Sequence, residues 1–147
     1  MAIEDTLGAP RRYWVGVALA AAFVLFGLVA TLGIYMRGDA QNAAMLGSAP
    51  DFAFWLLLAI AILGEVIGVL GLLARRTWTT PGFGLSAVFT VLFYAYVLHK
   101  SDWAGSVIGP LVITVIHLVL VWFAVASSKR GWTRRGSNNR LEPQRHE

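Results

Sequence analysis

The sequence predicts an all-α protein, a bundle of four transmembrane helices with both termini in the cytoplasm. Of its 147 residues, 57% are hydrophobic and only 14% are charged. A soluble domain of this size has too little interior to bury so much apolar surface. Four long apolar runs alternate with polar segments, and about 20 apolar residues are enough for one helix to cross the hydrocarbon core of a bilayer. We therefore expect lipid to be the solvent of this chain.

Each apolar run is predicted to be a helix, because irregular backbone cannot face lipid. The first run is longer than the roughly 7–15 apolar residues of a secretory signal peptide, so we expect it to stay in the membrane as an anchor. The second run is interrupted only by Glu65, and the fourth contains one titratable residue, His117. The predicted spans are residues 13–36, 52–74, 82–98 and 105–126.

Two terminal segments flank the predicted membrane domain of residues 13–127. Residues 1–12 form a short N-terminal segment, and residues 128–147 form a basic tail that has little to bury and is expected to be disordered. The longest loop joins the first two spans. Within it, residues 40–46 are predicted to form a short interfacial helix that ends before Pro50.

The direction of the chain follows from its basic residues, because cytoplasmic segments of membrane proteins carry an excess of Lys and Arg. Of the twelve Lys and Arg residues, only Arg37 and Lys100 fall on one side of the predicted spans. The other side carries Arg11, Arg12, Arg75, Arg76, Lys129, Arg130, Arg134, Arg135, Arg140 and Arg145. The aromatic anchors expected on this side are Tyr13, Trp14, Trp78 and Trp132. The distribution predicts a multi-pass protein of the bacterial inner membrane, and since the charges flank spans it does not indicate a nucleic-acid partner.

Glu65 is the residue that a purely apolar bundle does not explain. A charged side chain near the middle of a bilayer costs roughly 2.5–3.5 kcal/mol on insertion scales. Beside it, small residues recur at spacings of three and four, which places them on one helical face and lets another helix approach closely. This small-residue stripe consists of Ala61, Gly64, Gly68 and Gly71. We expect Glu65 to face the bundle and the stripe to pack against another helix. We also expect the stripe to be exposed on this chain, which favours a partner subunit.

A partner for Glu65 is predicted from depth in the membrane. Glu65 and His117 each lie nine residues before the inner end of a predicted span, or about 13–14 Å at the rise of an α-helix. Hydroxyl-bearing residues of the third and fourth spans are expected at nearby levels. The predicted polar cluster comprises Glu65, His117, Thr90, Tyr94 and Thr114. Its three interpretations are hydrogen-bonded helix packing, a ligand-binding or proton-carrying role, and a chance exposure of Glu65 to lipid.

Few catalytic chemistries fit these residues. The chain contains no cysteine, which excludes a disulfide, a thiol redox site and a thiolate metal site of its own. No serine is expected near His117 at a comparable depth, and no catalytic residue, metal site or cofactor is predicted. The one cofactor alternative is an axial bond from His117 to a haem or pigment shared with a partner. Independent catalytic activity is not expected, although membership of an enzyme complex stays open.

Two stretches carry a resemblance to a known family. The loop ending LGSAPDFAFW and the following ILGEVIGVLGLLARRTWTTPGFGLSAVF resemble the DoxX-like group of small bacterial four-helix membrane proteins. The resemblance covers roughly residues 13–127, and its matching positions are Leu46, Gly47, Pro50, Glu65, Gly68, Gly71, Leu72, Arg75 and Arg76. RRTWTTPGFGLS and LVITVIHLVLVWFAVASSKRGW are also similar to uncharacterised bacterial proteins labelled as sugar transporters. The DoxX resemblance implies a link to membrane oxidoreductase complexes, including a thiosulfate:quinone oxidoreductase; some relatives act with thiol partners, for which this chain has no cysteine of its own.

The leading functional hypothesis is a small membrane protein that acts as a subunit or accessory of a larger complex linked to quinone redox chemistry. Its expected partners are the lipid bilayer and either other membrane subunits or a second copy of the chain. The alternative is a small proton-coupled transporter that uses Glu65. Small multidrug exporters also have four short helices and one embedded Glu, but that Glu lies in their first helix, whereas Glu65 lies in the second predicted span.

Overall fold

Five α-helices make up the computed structural model, which describes residues 9–46, 49–100 and 107–133. They are α1 (Arg11–Arg37), α2 (Asp39–Leu46), α3 (Phe52–Leu73), α4 (Thr79–Lys100) and α5 (Ile108–Lys129). The described residues contain no β-strand, and four of their helices, all except α2, are long and apolar enough to span a membrane. The all-α architecture, with four helices able to span a membrane, is therefore confirmed for the described residues.

The helices run past most of the predicted spans. α1 begins at Arg11, ahead of the apolar run, and α4 extends the short third span from Thr79 to Lys100. α5 ends at Lys129, beyond the predicted residue 126. The reason is that apolarity marks the part of a helix inside hydrocarbon, whereas helical hydrogen bonding continues into the polar headgroup layer.

Proline marks the start of every long helix. Pro10 is the residue before α1, and Pro50 lies two residues before α3. Pro81 and Pro110 lie in the first turns of α4 and α5, where a missing N–H costs no helical hydrogen bond. These residues also shape where each span begins, since a proline farther inside a helix would break it.

Two helices end in the same kind of turn. After α3, the Arg76 N–H donates to the Gly71 carbonyl at 2.8 Å and the Arg75 N–H donates to the Leu72 carbonyl at 3.0 Å. Arg75 has a φ of 54°, and Gly131, which follows α5, has a φ of 71°. In each turn, the left-handed residue and two backbone hydrogen bonds form a Schellman motif. Arg75 occupies a position that glycine usually takes, because only glycine adopts it without steric cost.

An aromatic cluster joins the ends of α1, α3 and α5. Tyr13 is fully buried, and its hydroxyl donates to the Leu72 carbonyl at 2.6 Å. Its ring lies against those of Phe123 and Trp132, and the Arg75 Nε donates to the Trp132 carbonyl at 2.9 Å. Tyr13 is thus a core residue and not the interfacial anchor that its position next to a basic pair suggests. This end of the bundle, the basic end, carries Arg11, Arg12, Arg75, Arg76, Lys129 and Arg130.

The packed part of the chain extends past the expected start of the tail at residue 128. α5 continues to Lys129, and Trp132 and Thr133 pack on the basic end, with Thr133 buried. Turn geometry at Gly131 brings these residues back onto the bundle. The remaining tail, residues 134–147, lies outside the described residues.

α3 and α4 make the closest helix contact of the bundle, through the small-residue stripe. A Cβ atom on Gly64 would lie 2.7 Å from the backbone N of Ser86, and one on Gly68 would lie 2.6 Å from the ring of Phe83. All members of the stripe are buried: Ala61, Gly64, Gly68 and Gly71. The stripe therefore packs inside this chain. It is not exposed, and this removes it as an argument for a partner subunit.

α1 packs on α3 and makes only a narrow contact with α5. That contact lies toward the basic end, where Gly16 faces the ring of Phe123 at a distance that leaves no room for a Cβ atom. Farther along α1, Phe26 is 72% exposed and Ala30 is also exposed. The bundle is thus tight between α3 and α4 and open beside the second half of α1.

At the end opposite to the basic end, Asp51 links α3 to α4. Its side chain caps α3 by accepting a hydrogen bond from the Phe54 N–H at 2.9 Å. It also accepts one from the Tyr96 hydroxyl at 2.6 Å and pairs with Lys100. The hydrogen bonds from Lys100, Tyr96 and Phe54 hold the pKa of the Asp51 carboxyl well below its usual range.

Replacing Gly64 with alanine should separate α3 from α4. Because the added Cβ atom meets backbone atoms of Ser86 and Gly82, Gly64→Ala should lower the free energy of unfolding in mild detergent by about 1–3 kcal/mol. The matched control is Gly84→Ala, where a Cβ atom would meet nothing within 4 Å and alanine is the better helix former. Equal stability of the two variants would contradict the close packing.

The charge on Asp51 should stabilise the fold in a pH-dependent way. Because folding lowers its pKa, the stabilisation is complete above the unfolded pKa and is lost as the pH falls through the folded pKa. Asp51→Asn keeps the helix cap and should melt below wild type near neutral pH. The difference in melting temperature should narrow from about pH 5 down to about pH 2. A difference that stays constant over that range would show that the Asp51 charge does not contribute.

Candidate functional site

Two titratable side chains meet inside the bundle. Glu65 on α3 and His117 on α5 are 6% and 3% exposed, and the Glu65 Oε1 lies 2.7 Å from the His117 Nε2. The structure thus places in contact the two residues that share a predicted depth. The Thr90 Oγ1 on α4 lies 3.2 Å from the same nitrogen. A carboxyl group, an imidazole and a hydroxyl from three helices therefore converge on one atom.

The backbone decides which imidazole nitrogen always carries a proton. The His117 Nδ1 lies 2.8 Å from the Ile113 carbonyl, one turn earlier on α5. A carbonyl only accepts, so Nδ1–H donates. The Nε2 then either accepts a hydrogen bond from the O–H of a neutral Glu65 or, in an imidazolium, donates one to an ionised Glu65. Both forms hold one proton between Oε1 and Nε2, and both leave the pair without net charge, which an apolar interior strongly favours.

A cavity of about 180 Å³ lies beside the pair. Its walls come from all four long helices and are mainly apolar. Its polar lining residues are Glu65, His117, Thr90, Thr31 and Tyr94. Because its wall residues Phe26 and Ala30 are exposed on α1, the cavity opens toward the surface that faces lipid when the helices span a membrane.

The second carboxyl oxygen of Glu65, Oε2, faces α1. Among the residues that the structure describes it has no hydrogen-bond partner, and a Cβ atom on Gly27 would lie 3.5 Å from it. Both residues line the cavity, so the missing side chain at Gly27 leaves this oxygen open to it. In either form of the pair Oε2 is a hydrogen-bond acceptor. The cavity thus offers a ligand the carboxyl oxygen Oε2 as an acceptor, in mainly apolar surroundings.

The other predicted members of the polar cluster are placed differently. Tyr94 lines the cavity and also a shallower groove between α4 and α5. Thr114 lines only that groove, and its hydroxyl donates to the Pro110 carbonyl at 2.9 Å. Thr114 does not join the cluster, because its hydroxyl is satisfied by the backbone of its own helix and the residue does not line the cavity.

α1 contributes to the site, although none of its residues was predicted to lie there. The ring of Phe23 packs edge-on against that of His117, with 5.4 Å between ring centroids. Gly27 and Thr31 line the cavity one helical turn apart, and the Thr31 hydroxyl donates to the Gly27 carbonyl at 2.9 Å. A glycine and a threonine at this spacing in an apolar run are a sequence signal that could have included the first span.

The geometry does not favour a haem on His117. Both ring nitrogens are engaged, so an axial bond would have to replace the contact with Glu65. The cavity is also smaller than the roughly 300–1,000 Å³ of pockets for drug-sized ligands. Across the described ranges, no group of three or more His, Asp or Glu residues could hold a metal ion.

The basic residues predicted at the membrane surface lie far from this pair. Six of them form the basic end: Arg11, Arg12, Arg75, Arg76, Lys129 and Arg130. Arg134 and Arg135 lie outside the described residues. The candidate site is therefore the cavity with Glu65, His117 and Thr90, and the basic end is a separate surface.

A double-mutant cycle should measure the contact between Glu65 and His117. Glu65→Gln should fold nearly as well as wild type, because its amide N–H can donate to Nε2. His117→Leu should lower the free energy of unfolding by about 1–3 kcal/mol, since it leaves a buried carboxyl without its partner. Glu65→Leu should cost less, because the Thr90 hydroxyl is in reach of Nε2.

The double variant of Glu65→Leu and His117→Leu should cost less than the sum of the single changes, because no partner is left unsatisfied. Adding Thr90→Val to Glu65→Leu should raise its cost. The matched control is Thr114→Val, whose hydroxyl bonds only its own helix. Strict additivity of the two leucine changes would show that Glu65 and His117 do not interact in the folded protein.

Comparison with known proteins leaves the site to be judged on its geometry. No family model matches the chain, and no curated protein or solved structure is significantly similar to it. The resemblance to the DoxX-like group consequently stays a prediction from short motifs.

Proposed function

We propose that the chain is a multi-pass protein of the bacterial inner membrane, with both termini in the cytoplasm, and that it is a subunit or accessory of a redox-linked membrane complex. Its role there is to bind the ring of a lipid-soluble quinol. The observation that supports this proposal is the apolar cavity beside the proton-sharing pair of Glu65 and His117. The uneven distribution of basic residues supports the orientation.

The size of the cavity fits a single ring. Its volume of about 180 Å³ compares with an engineered apolar cavity of about 150 Å³ that binds benzene. A larger ligand would have to leave its remaining atoms outside. Because the cavity opens beside Phe26 and Ala30 on α1, an isoprenoid-like tail would stay in the bilayer while the ring enters.

The polarity of the cavity fits the reduced form of such a carrier. A quinol hydroxyl donates a hydrogen bond, and the Glu65 Oε2 accepts one in both protonation states of the pair. A quinone carries only acceptor oxygens and cannot donate a hydrogen bond to Oε2. The site should therefore bind the quinol more tightly than the quinone. When the shared proton is on His117, the Glu65 carboxylate is placed to take a proton from the hydroxyl.

The need for a partner follows from this chemistry. Oxidation of a quinol releases electrons as well as protons, and the residues at the cavity act on the ring position and the proton only. An electron acceptor would come from another subunit, as the resemblance to redox-linked membrane proteins implies. The small-residue stripe does not support a partner, because it is already packed inside the chain.

Proton-coupled transport is the second candidate. It is favoured by the single proton that Glu65 and His117 share, which leaves the pair without net charge. Glu65 can hold an organic cation only if it is ionised and His117 is neutral, and this state has lost the proton that the pair shares. Entry of a cation would therefore require departure of a proton. Such an exchange is the basic step of a proton-coupled exporter.

Binding of a short-chain quinol to the protein in nanodiscs tests the proposal. Gly27→Val should weaken binding at least about ten-fold, because the added methyl groups cover Oε2 and remove one hydrogen bond from the ligand. The matched control is Gly84→Val, at a position with no neighbour within 4 Å, and it should bind as wild type does. Purification from native membranes in mild detergent should also recover a redox subunit.

Three outcomes would count against the proposal. Equal binding by Gly27→Val and wild type would place the quinol outside the cavity. Tighter binding of the quinone would contradict the acceptor role of Oε2. Proton-driven uptake of a lipophilic cation by proteoliposomes, abolished by Glu65→Gln and without quinol binding, would establish the transporter instead.

A further inference from the structure

The basic end holds two guanidinium groups against one aromatic ring. The Arg12 Cζ lies 5.1 Å and the Arg130 Cζ 5.0 Å from the centroid of the Trp132 ring. Arg12 belongs to the first turn of α1, and Arg130 follows the last residue of α5. We call this arrangement the tryptophan stack. It joins two helices whose other contacts are few.

Trp132 is fixed in place by its surroundings. Its backbone carbonyl accepts a hydrogen bond from the Arg75 Nε at 2.9 Å, and its backbone N–H donates to the Ser127 carbonyl at 2.9 Å. Its ring packs edge-on against the buried Tyr13, at 5.9 Å between centroids. The ring is therefore a rigid support for both guanidinium groups. This support lowers the conformational-entropy cost of ordering them when a ligand binds.

The two arginines have no acidic counterpart in the described part of the chain. Its only carboxylates are those of Asp39, Asp51 and Glu65. Asp39 and Asp51 lie at the opposite end, and Glu65 is bonded to His117 in the middle of the bundle. Arg12 and Arg130 are exposed, so their charges face the medium around the basic end.

We propose that the tryptophan stack binds the phosphate headgroup of an anionic phospholipid. The stack lies at one end of helices long enough to cross a bilayer, which is the level of lipid phosphates. Guanidinium groups match phosphate oxygens in planar, two-point hydrogen bonds, and tryptophan is favoured at this interface. The headgroup bridges the start of α1 and the end of α5, two helices that make only a narrow contact with each other. This site is independent of the proposed quinol cavity.

Native mass spectrometry of the protein with phosphatidylglycerol or phosphatidylcholine tests the proposal. The test variant carries Arg12→Gln and Arg130→Gln, and the matched control carries Arg11→Gln and Lys129→Gln, which removes the same charge from the same end outside the stack. Wild type should retain phosphatidylglycerol over phosphatidylcholine. The stack variant should lose at least about five-fold more of its affinity than the control, the effect expected of about one arginine contact with an anionic lipid.

A variant with Arg12→Lys and Arg130→Lys guards against a folding defect, because it keeps the charge and loses the planar groups. It should bind phosphatidylglycerol with an affinity between those of wild type and the stack variant. If the stack variant and its control lost the same affinity for phosphatidylglycerol, the lipid would be responding to overall surface charge, and the proposal would be overturned. An absence of preference for phosphatidylglycerol in wild type would also overturn it.

Discussion

One proton held between Glu65 and His117 lets a carboxyl group stay in the middle of an apolar bundle. The contact is 2.7 Å long, and the bond from Nδ1 to the Ile113 carbonyl fixes the imidazole so that its other nitrogen faces the carboxyl group. Either location of the shared proton leaves the pair neutral. The rest of the bundle must keep the two side chains in contact, because an unpaired charge at this depth would be strongly unfavourable.

The packing of the helices serves that requirement in two ways. Close approach of α3 and α4 along the small-residue stripe brings Glu65 and Thr90 together on the same side of the interface. Looser packing of α1, with Gly27 opposite the carboxyl group, leaves a cavity beside the pair. A tight half and an open half of one small bundle thus leave a buried polar group beside a cavity.

The sequence predicted the helices and a shared depth for Glu65 and His117, because both depend on one-dimensional rules, apolar length and helical rise. It did not predict the burial of Tyr13 or the place of Thr114. Those depend on the rotation of each helix about its axis, which depth alone does not specify. The cavity also escaped prediction, since a space between helices depends on how they diverge and no residue type encodes it.

Solid-state NMR of the protein in bilayers, with labelled histidine nitrogen and glutamate carboxyl carbon, tests the central claim most directly. We expect a dipolar coupling between the Glu65 carboxyl carbon and the His117 Nε2, as the 2.7 Å contact requires, and a protonated Nδ1 at every pH at which the protein is folded. His117→Gln should abolish the coupling and thereby assign it. An unprotonated Nδ1, or no coupling in folded protein, would contradict a proton shared by this pair.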